Sequence, residues 1–356
     1  MVRLPLPLST DSQLQSALRT PNSALVDTFG RVHNNLRISV TDRCNLRCTY
    51  CMPEEVEFLH RSELLSFEEI AAFVRVASEL GVDKVRLTGG EPLLRRNLPE
   101  LVKLIAAIPG IRDIGLTTNG LLLDKQAQPL FDAGLRRLNV SLDTLDEGRF
   151  FELSRRSGLP QVLAGLAEAK RAGFGPIKVN AVAIRGFIEH DAVPLARYCR
   201  EMGFELRFIE YMPIGADAWE REKVVFAAEL QEWLEKAISP LVGTGEPGAS
   251  ATGDLSSPAQ DFDYSDGRGR VGFISSVSQP FCGSCNRLRL TAEGKLRNCL
   301  FAKNEVDVKS LLRTNPLNAE ELKQTIRANV WAKEEGHEIN SAKFVKPDRT
   351  MHAIGG

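Results

Sequence analysis

Seven cysteines are the side chains of this 356-residue sequence best suited to metal or redox chemistry, and six of them form two groups. One group lies within eight residues and the other within eighteen. Core packing does not account for such clustering, and clustered cysteines in a chain without secretory features favour metal binding over disulfides. The first group is Cys44, Cys48 and Cys51, and the second is Cys282, Cys285 and Cys299.

The first group has the spacing Cys-x3-Cys-x2-Cys and directly follows the first predicted strand. Three thiolates so spaced can hold three irons of a [4Fe–4S] cubane and leave the fourth iron open to a small molecule. Zinc is the alternative, but structural zinc takes four ligands and paired Cys-x2-Cys arms. Neither His33 nor His60 has a convincing spacing for a fourth ligand. The spacing therefore favours an iron–sulfur cluster.

The second group, with spacing Cys-x2-Cys-x13-Cys, again has three ligands and no obvious fourth. Taken alone it fits zinc and iron–sulfur equally well. Two residues after Cys285, strand alternation places Arg287 and Arg289 on one face and Leu288 on the other. Such an arginine pair could clamp an anion beside the cysteines.

Strands and helices alternate from residue 35 onward, which predicts βαβ units, a parallel sheet and chemistry at the C-terminal strand ends. Six strands suit an open, partial (β/α)6 barrel of the TIM type rather than a closed eight-stranded one. The predicted strands are 36–41, 84–88, 113–118, 137–142, 177–184 and 205–211. The predicted helices are 66–80, 98–108, 122–133, 145–156, 159–172 and 191–202.

The pattern changes after residue 215, so we divide the chain into three parts. Residues 1–34 form a loosely attached N-terminal arm, 35–215 the barrel, and 216–356 a smaller domain with the second cysteine group and a Gly-Gly tail. In the last part we expect a helix at 223–236, a loop at 243–265 rich in Gly, Ser and Pro, and a helix at 319–334. A strand pair is expected at 270–276 and 287–291.

Composition excludes some classes of function. The formal net charge is −1, from 45 basic and 46 acidic residues, and 43% of residues are hydrophobic. This balance gives no general reason to bind nucleic acid or an acidic membrane, so any anion site must be local. No apolar run approaches the ~18 residues of a membrane span, and the N-terminus has no signal-peptide core. We expect a cytoplasmic protein that binds neither nucleic acid nor membrane.

Three basic residues lie inside predicted parallel strands, where both faces are normally apolar. They are Arg37, Arg86 and Lys178. By residue type alone each could be a surface charge or a structural ion pair. Because an unpaired buried cation is costly, their positions favour a polar barrel lumen that binds an anion.

Two motifs resemble the radical S-adenosylmethionine (SAM) superfamily. One is the first cysteine group with Tyr50 before its last cysteine, and the other is Thr88-Gly89-Gly90-Glu91-Pro92 at the end of the second strand. Glycines at that point would let the backbone approach a ligand closely. The resemblance implies a cluster whose open iron binds SAM, and the cofactors then carry the chemistry without a catalytic side chain.

Further segments resemble one family in that superfamily, the GTP 3′,8-cyclases of molybdenum cofactor biosynthesis. They include residues 281–290, 294–300 and 208–215. The resemblance implies two [4Fe–4S] clusters, of which the second binds the purine of GTP. It also implies a 5′-deoxyadenosyl radical that removes the ribose 3′ hydrogen, so that the ribose attacks C8 of guanine. The barrel mouth and the C-terminal domain would then share one chamber.

The same resemblance assigns site residues and partners. The terminal Gly355 and Gly356 would enter the active site, although two terminal glycines are more often a frayed end. The implied partners are GTP, an electron donor such as flavodoxin or ferredoxin, and a cyclic pyranopterin monophosphate synthase that takes the product. The resemblance is also compatible with a homodimer. GTP binding falls to Arg37, Arg86, Thr117, Lys178, Arg287, Leu288 and Arg289, and SAM binding to Tyr50, Gly90, Ser141 and Met212.

Two other readings stay open at this point. A radical SAM peptide-modifying enzyme with an auxiliary cluster would carry the same first motif, though with more C-terminal cysteines than three. A two-cluster electron carrier would need clusters but no substrate chamber, and the long βα region counts against it. A zinc-stapled nucleic-acid binder lacks support from charge or aromatic residues.

Overall fold

One twelve-stranded sheet organises the molecule. The computed structural model describes residues 24–215, 218–244 and 256–355. The spatial order of its strands is β12-β11-β10-β1-β2-β3-β4-β5-β6-β9-β8-β7. The strands are β1 (Asn35–Ser39), β2 (Lys84–Thr88), β3 (Asp113–Thr118), β4 (Arg137–Ser141), β5 (Ile177–Ala183), β6 (Glu205–Glu210), β7 (Leu241–Gly243), β8 (Gln260–Tyr264), β9 (Arg270–Ile274), β10 (Arg287–Leu290), β11 (Lys295–Arg297) and β12 (Val306–Asp307).

Helices follow each of the first six strands, as predicted. Ser66 and Glu69 form the capping box that starts the first helix, with the Ser66 Oγ accepting from the Glu69 amide at 3.1 Å. Gly203 ends the sixth helix at a φ of +73°. The helices are α1 (Phe67–Glu79), α2 (Leu98–Ala106), α3 (Leu123–Asp132), α4 (Glu147–Ser154), α5 (Leu159–Arg171), α6 (Ile188–Met202), α7 (Ala227–Ala237), α8 (Lys309–Leu312), α9 (Ala319–Trp331) and α10 (Met351–Ile354).

Strands β1 to β6 are parallel and lie in sequence order, so the predicted (β/α)6 arrangement is confirmed. In β1, Leu36 and Ile38 are fully buried in the apolar core beneath the helices. Between them the side chain of Arg37 points to the opposite face. The inner face of the sheet is therefore polar, while the apolar side chains pack outward against the helices.

The predicted strand pair at 270–276 and 287–291 is wrong in its pairing. β9 pairs with β6 and β10 pairs with β1, both in parallel. The two segments thus extend the barrel sheet at its two opposite edges. Alternation along a strand shows which faces are buried, but it does not show which neighbour accepts its hydrogen bonds.

The expected loop at 243–265 is also corrected. Residues 260–264 form β8, which pairs antiparallel with both β7 and β9. Its Tyr264 is buried, and Phe262 packs edge-on against Phe273 with 5.6 Å between ring centroids. These aromatic contacts favour a strand even though the surrounding composition is typical of a loop. Residues 245–255 of the expected loop lie outside the described residues.

Part of the expected N-terminal arm is firmly packed. Residues 24–34 fold back on themselves through an antiparallel bridge between Val26 and Val32. Leu25 and His33 are buried, which contradicts loose attachment for this part. Residues 1–23 lie outside the described residues. Within the part of the chain that the structure covers, no helix is long and apolar enough to cross a membrane.

Candidate active site

A cavity of about 440 Å³ lies inside the barrel sheet and gathers residues from all six central strands. Its size is typical of a small-molecule site. It brings together the first cysteine group, every predicted SAM position and most predicted GTP positions. Of the predicted residues, the cavity is lined by Arg37, Cys44, Cys48, Tyr50, Cys51, Arg86, Gly90, Thr117, Ser141, Lys178, Met212 and Arg287.

The first cysteine group forms one wall of this cavity, and its three thiols are free. Burial raises the pKa of Cys44 to about 11 and that of Cys51 to about 12. Burial also raises the pKa of Cys48, with Cys51 and Asp143 adding to the effect. Thiolates at this wall therefore need a strongly cationic partner, which iron supplies, so the donor set fits a cluster.

Cysteine geometry also bears on the choice between a single ion and a cluster. Among the described residues, no three His, Cys, Asp or Glu side chains are arranged around one metal ion. A cubane instead takes each thiolate on a separate iron, as the three-cysteine motif requires. The amide of Leu46 donates to the Cys44 sulfur at 3.4 Å, a contact that would stabilise the thiolate form.

Two carboxyl groups, the half-buried Asp143 and the buried Glu91, stand beside the first cysteine group. Asp143 accepts from the Tyr50 hydroxyl at 2.7 Å and from the Val182 amide at 2.8 Å, and burial raises its pKa to about 6. Glu91 accepts from the Thr118 hydroxyl and the Asn119 amide, both at 2.7 Å, and burial raises its pKa to about 7. Asp143 was not among the predicted site residues; its position just after β4 is the signal that could have identified it.

Packing of the chain itself requires glycine at positions 89 and 90. A Cβ at Gly90 would lie 2.4 Å from the Asp42 carbonyl oxygen and 2.5 Å from that of Arg43. A Cβ at Gly89 would lie 2.5 Å from the Thr41 oxygen. Both glycines also line the cavity. They let β2 pack against the loop that carries Cys44.

Three arginines lie side by side across neighbouring strands. In the register of the sheet, Arg37 on β1 is the direct partner of both Arg289 on β10 and Arg86 on β2. Burial lowers the pKa of Arg86 and of Arg289 to about 10, and burial with repulsion from Arg289 and Arg287 lowers that of Arg37. The Nε of Arg37 is buried without a hydrogen-bond partner. This cluster of repelling cations calls for a bound anion.

Several cations of the cavity, Arg86 among them, already have partners. Lys178 pairs with Glu205 at 3.1 Å, and Arg86 donates to the Asn139 side chain at 3.0 Å. Arg287 donates to the Ser256 carbonyl oxygen at 2.9 Å and lies over the Phe281 ring. Several further basic residues of this lining were not predicted as site residues, although each occurs within a predicted strand. They are Lys84, Arg137, Arg207 and Arg270.

The C-terminal tail reaches into the barrel. Arg289 donates to the Gly355 carbonyl oxygen at 2.5 Å. Gly355 has a φ of +88°, and a Cβ there would lie 2.5 Å from the Thr88 hydroxyl oxygen and 3.0 Å from the Ser39 Cβ. Only glycine fits this conformation and this space. Gly356 lies outside the described residues.

The Leu288 side chain does not line the cavity. It is 1% exposed and belongs to the apolar core, on the opposite face of β10 from its two arginine neighbours. Cys199, which belongs to neither cysteine group, is buried in the same core. The alternation predicted for β10 is thus confirmed.

The second cysteine group lines a separate cavity of about 410 Å³, together with Arg31 and Lys333. One shared chamber was expected, but here Arg287 lines the large cavity while Cys285, two residues earlier, lines the other. Burial would raise the pKa of Cys285, yet the charges of Arg287 and Lys333 lower it to about 7. A thiolate is therefore accessible near neutral pH, and this donor set also fits a cluster.

Two family profiles match the chain over adjacent stretches. That of the Radical SAM superfamily matches residues 38–199. That of Molybdenum Cofactor Synthesis C matches residues 204–339. Together they span the barrel strands and the second cysteine group.

Curated relatives are similar along nearly the whole chain. A GTP 3′,8-cyclase of Rhodopirellula baltica is 48% identical, with 94% of this chain and 92% of that protein covered. One of Thermodesulfovibrio yellowstonii is 43% identical over 93% of this chain and 99% of that protein. One of Mycobacterium sp. strain KMS is 45% identical over the full length of both.

Solved structures show the same fold at much lower identity. Streptococcus suis SuiB bound to S-adenosylmethionine matches with a TM-score of 0.58 and 16% identity, covering 86% of this chain and 70% of that one. This likeness supports the radical SAM type of barrel. From its full-length similarity to the curated relatives, the chain belongs to the GTP 3′,8-cyclase family of radical SAM enzymes.

Proposed function

We propose that the protein is a GTP 3′,8-cyclase that converts GTP to (8S)-3′,8-cyclo-7,8-dihydroguanosine 5′-triphosphate, the first step of molybdenum cofactor biosynthesis. The observation that carries this proposal is one cavity with two unlike walls. The first cysteine group lines one part of it, and Arg37 and Arg86, neighbours in the sheet register, line another; Arg289, the other register neighbour of Arg37, lies outside the lining. The family relationship supports the same reading.

Each cofactor has residues to hold it. The first cysteine group would hold the cluster that binds SAM, and the second would hold the cluster that anchors the guanine of GTP. When bound, the first cluster and SAM supply the 5′-deoxyadenosyl radical that removes the ribose 3′ hydrogen of GTP. Around SAM the proposed contacts are Tyr50, Gly90, Ser141 and Met212, all of which line the cavity.

Charge selects the substrate. The triphosphate of GTP would relieve the repulsion among Arg37, Arg86 and Arg289, and would give the orphaned Nε of Arg37 an acceptor. Lys178 and Thr117 line the same cavity and would complete the phosphate contacts. Arg287 would bridge from this cavity towards the second cluster, since it lies two residues from Cys285. Leu288 would contact GTP only through its backbone.

The tail would close the site. Gly355 already contacts Arg289 and sits against Thr88 at the end of β2. Gly355 and Gly356 would therefore lie beside the substrate and position it for attack on C8. Because neither residue has a side chain, the tail can share the cavity with GTP and SAM.

The competing functions fit less well. A peptide-modifying radical SAM enzyme has no need for a row of neighbouring arginines, and the relatives at 43–48% identity are cyclases. An electron carrier has no need for a 440 Å³ cavity lined by cations. We further propose a cytoplasmic location and, as partners, a flavodoxin or ferredoxin, a cyclic pyranopterin monophosphate synthase and a second copy of the chain in a homodimer.

Anaerobic reconstitution tests the proposal. The full chain should bind about eight irons with matching sulfide, as two cubanes require. With SAM, a reductant and GTP it should form the cyclised triphosphate, and with ATP it should not. One or two zinc ions in place of iron, or equal turnover of ATP, would refute the proposed function.

A further inference from the structure

Lys333 lies directly behind the second cysteine group. It follows helix α9 and is only 4% exposed. Its Nζ is 3.5 Å from the Cys285 sulfur, 3.4 Å from the Cys285 carbonyl oxygen and 3.2 Å from the Arg287 carbonyl oxygen. It lines the second cavity and not the large one. Its contacts therefore point to the metal site rather than to the substrate.

His33 holds this ammonium group from the other side. The His33 Nδ1 is 2.9 Å from the Arg31 carbonyl oxygen, and because a carbonyl only accepts, Nδ1 carries the proton. The Nε2 is thus an acceptor, and it lies 2.9 Å from the Lys333 Nζ. An ammonium group has three N–H donors and no lone pair, which suits a surrounding made of nitrogen, oxygen and sulfur acceptors.

Arg31 holds the same side of the second cavity in place through hydrogen bonds to backbone carbonyl groups. Its guanidinium donates to the carbonyl oxygens of Cys282 at 2.8 Å, Glu335 at 2.7 Å and Glu334 at 2.7 Å. Asp27 in turn accepts from the Arg31 Nε at 2.5 Å. Three distant chain segments therefore determine where the Lys333 Nζ lies relative to Cys285.

We propose that Lys333 is a positioning residue for the second cluster, whose ammonium donates an N–H···S hydrogen bond to the Cys285 thiolate and raises the reduction potential of that cluster. A cation at a ligating sulfur withdraws electron density from iron and stabilises the more negative, reduced state. Groups behind a ligand commonly tune a metal in this way. The inference rests on the proposed function only in requiring a second cluster.

The test is an EPR-monitored redox titration of the second cluster alone. The full chain with Cys44→Ala, Cys48→Ala and Cys51→Ala serves as the parent, because it retains only that cluster. In this parent, Lys333→Gln should shift the midpoint potential to a more negative value. Lys333→Arg should restore most of the parent potential, because it keeps the charge. Lys303→Gln removes an exposed cation of the same cavity and should leave the potential unchanged.

Each possible result of this titration either supports or overturns the proposal. An unchanged potential in Lys333→Gln would overturn the proposal, as would a shift of equal size in Lys303→Gln. Loss of second-cluster iron in Lys333→Gln with normal iron in Lys333→Arg would support it, because the charge is then needed to hold the thiolate. Loss in both variants would overturn it and mark Lys333 as a packing residue. Failure of the proposed function itself would appear earlier, as a wild-type chain without about eight irons.

Discussion

The two cysteine groups differ most in the charges around them. The first group lies beside the carboxyl groups of Asp143 and Glu91, and its thiols have raised pKa values. The second lies among Arg31, Arg287 and Lys333; the pKa of Cys285 falls to about 7, while burial raises that of Cys282. The immediate neighbours of the first group are therefore carboxyl groups, and those of Cys285 are cations.

This difference matches the proposed ligands. SAM carries a sulfonium cation, which the carboxyl groups beside the first cysteine group favour. Arg287, next to the second cysteine group, lines the cavity in which the triphosphate of GTP is proposed to bind. The cysteine spacing thus identifies the cluster, and the charged residues beside each cysteine group determine which molecule binds near that cluster.

Cysteine replacement has the largest expected effect and tests whether the two groups differ in role. Alanine at Cys44, Cys48 or Cys51 should abolish reductive cleavage of SAM. Alanine at Cys282, Cys285 or Cys299 should spare some cleavage and abolish GTP cyclisation, because only substrate anchoring is lost. Chromatographic assay of 5′-deoxyadenosine and of cyclised product measures both. Wild-type cyclisation in second-group variants would mark that cluster as structural.

Deletion of Gly355 and Gly356 should be nearly as damaging to cyclisation. The deletion removes the contact of Arg289 with Gly355 but touches no cluster ligand. Product formation should fall to a small fraction, while iron content and melting temperature stay at wild-type values. Full activity of the truncated enzyme would show that the tail is a frayed end with no role in cyclisation.

Alternation along β10 predicts unlike effects for neighbouring residues. Arg287→Ala and Arg289→Ala should each weaken GTP binding by about 1.5–3 kcal/mol, the usual contribution of a hydrogen bond to a charged group. Leu288→Ala should instead lower the free energy of unfolding by about 2–5 kcal/mol, because it leaves a cavity in the core. Calorimetric GTP titration and urea unfolding separate the two. Equal stability losses with unchanged GTP affinity would make the arginines scaffold residues.

The pH dependence of stability tests the buried carboxyl group of Glu91 beside the first cysteine group. Burial raises the pKa of Glu91 from 4.5 to about 7, so between these values the folded chain binds a proton that the unfolded chain has released. The contribution of Glu91 to stability is therefore greatest below pH 4.5 and falls by on the order of 3 kcal/mol as pH rises to 7. Urea unfolding of metal-free protein should show a flatter pH profile for Glu91→Gln. Parallel profiles would contradict the raised pKa.

The sequence was sufficient for much of this architecture. Apolar periodicity and the Ser66 cap located the βα units, and local spacing identified both cysteine groups. It could not give the partners of β9 and β10, because strand pairing is a contact between distant segments. Asp143 and Lys333 were missed for the same reason. Each acquires its role only when folding places it against Tyr50 or Cys285.

Deuterium transfer from GTP to SAM tests the central claim most directly. The reconstituted enzyme would be given SAM, a reductant and GTP deuterated at C3′ of the ribose. If the ligands of the two unlike walls meet in one cavity, one deuterium should appear in 5′-deoxyadenosine for each molecule of cyclised product. Unlabelled 5′-deoxyadenosine formed alongside unchanged GTP would contradict the claim, because SAM would then be cleaved without reaching the ribose.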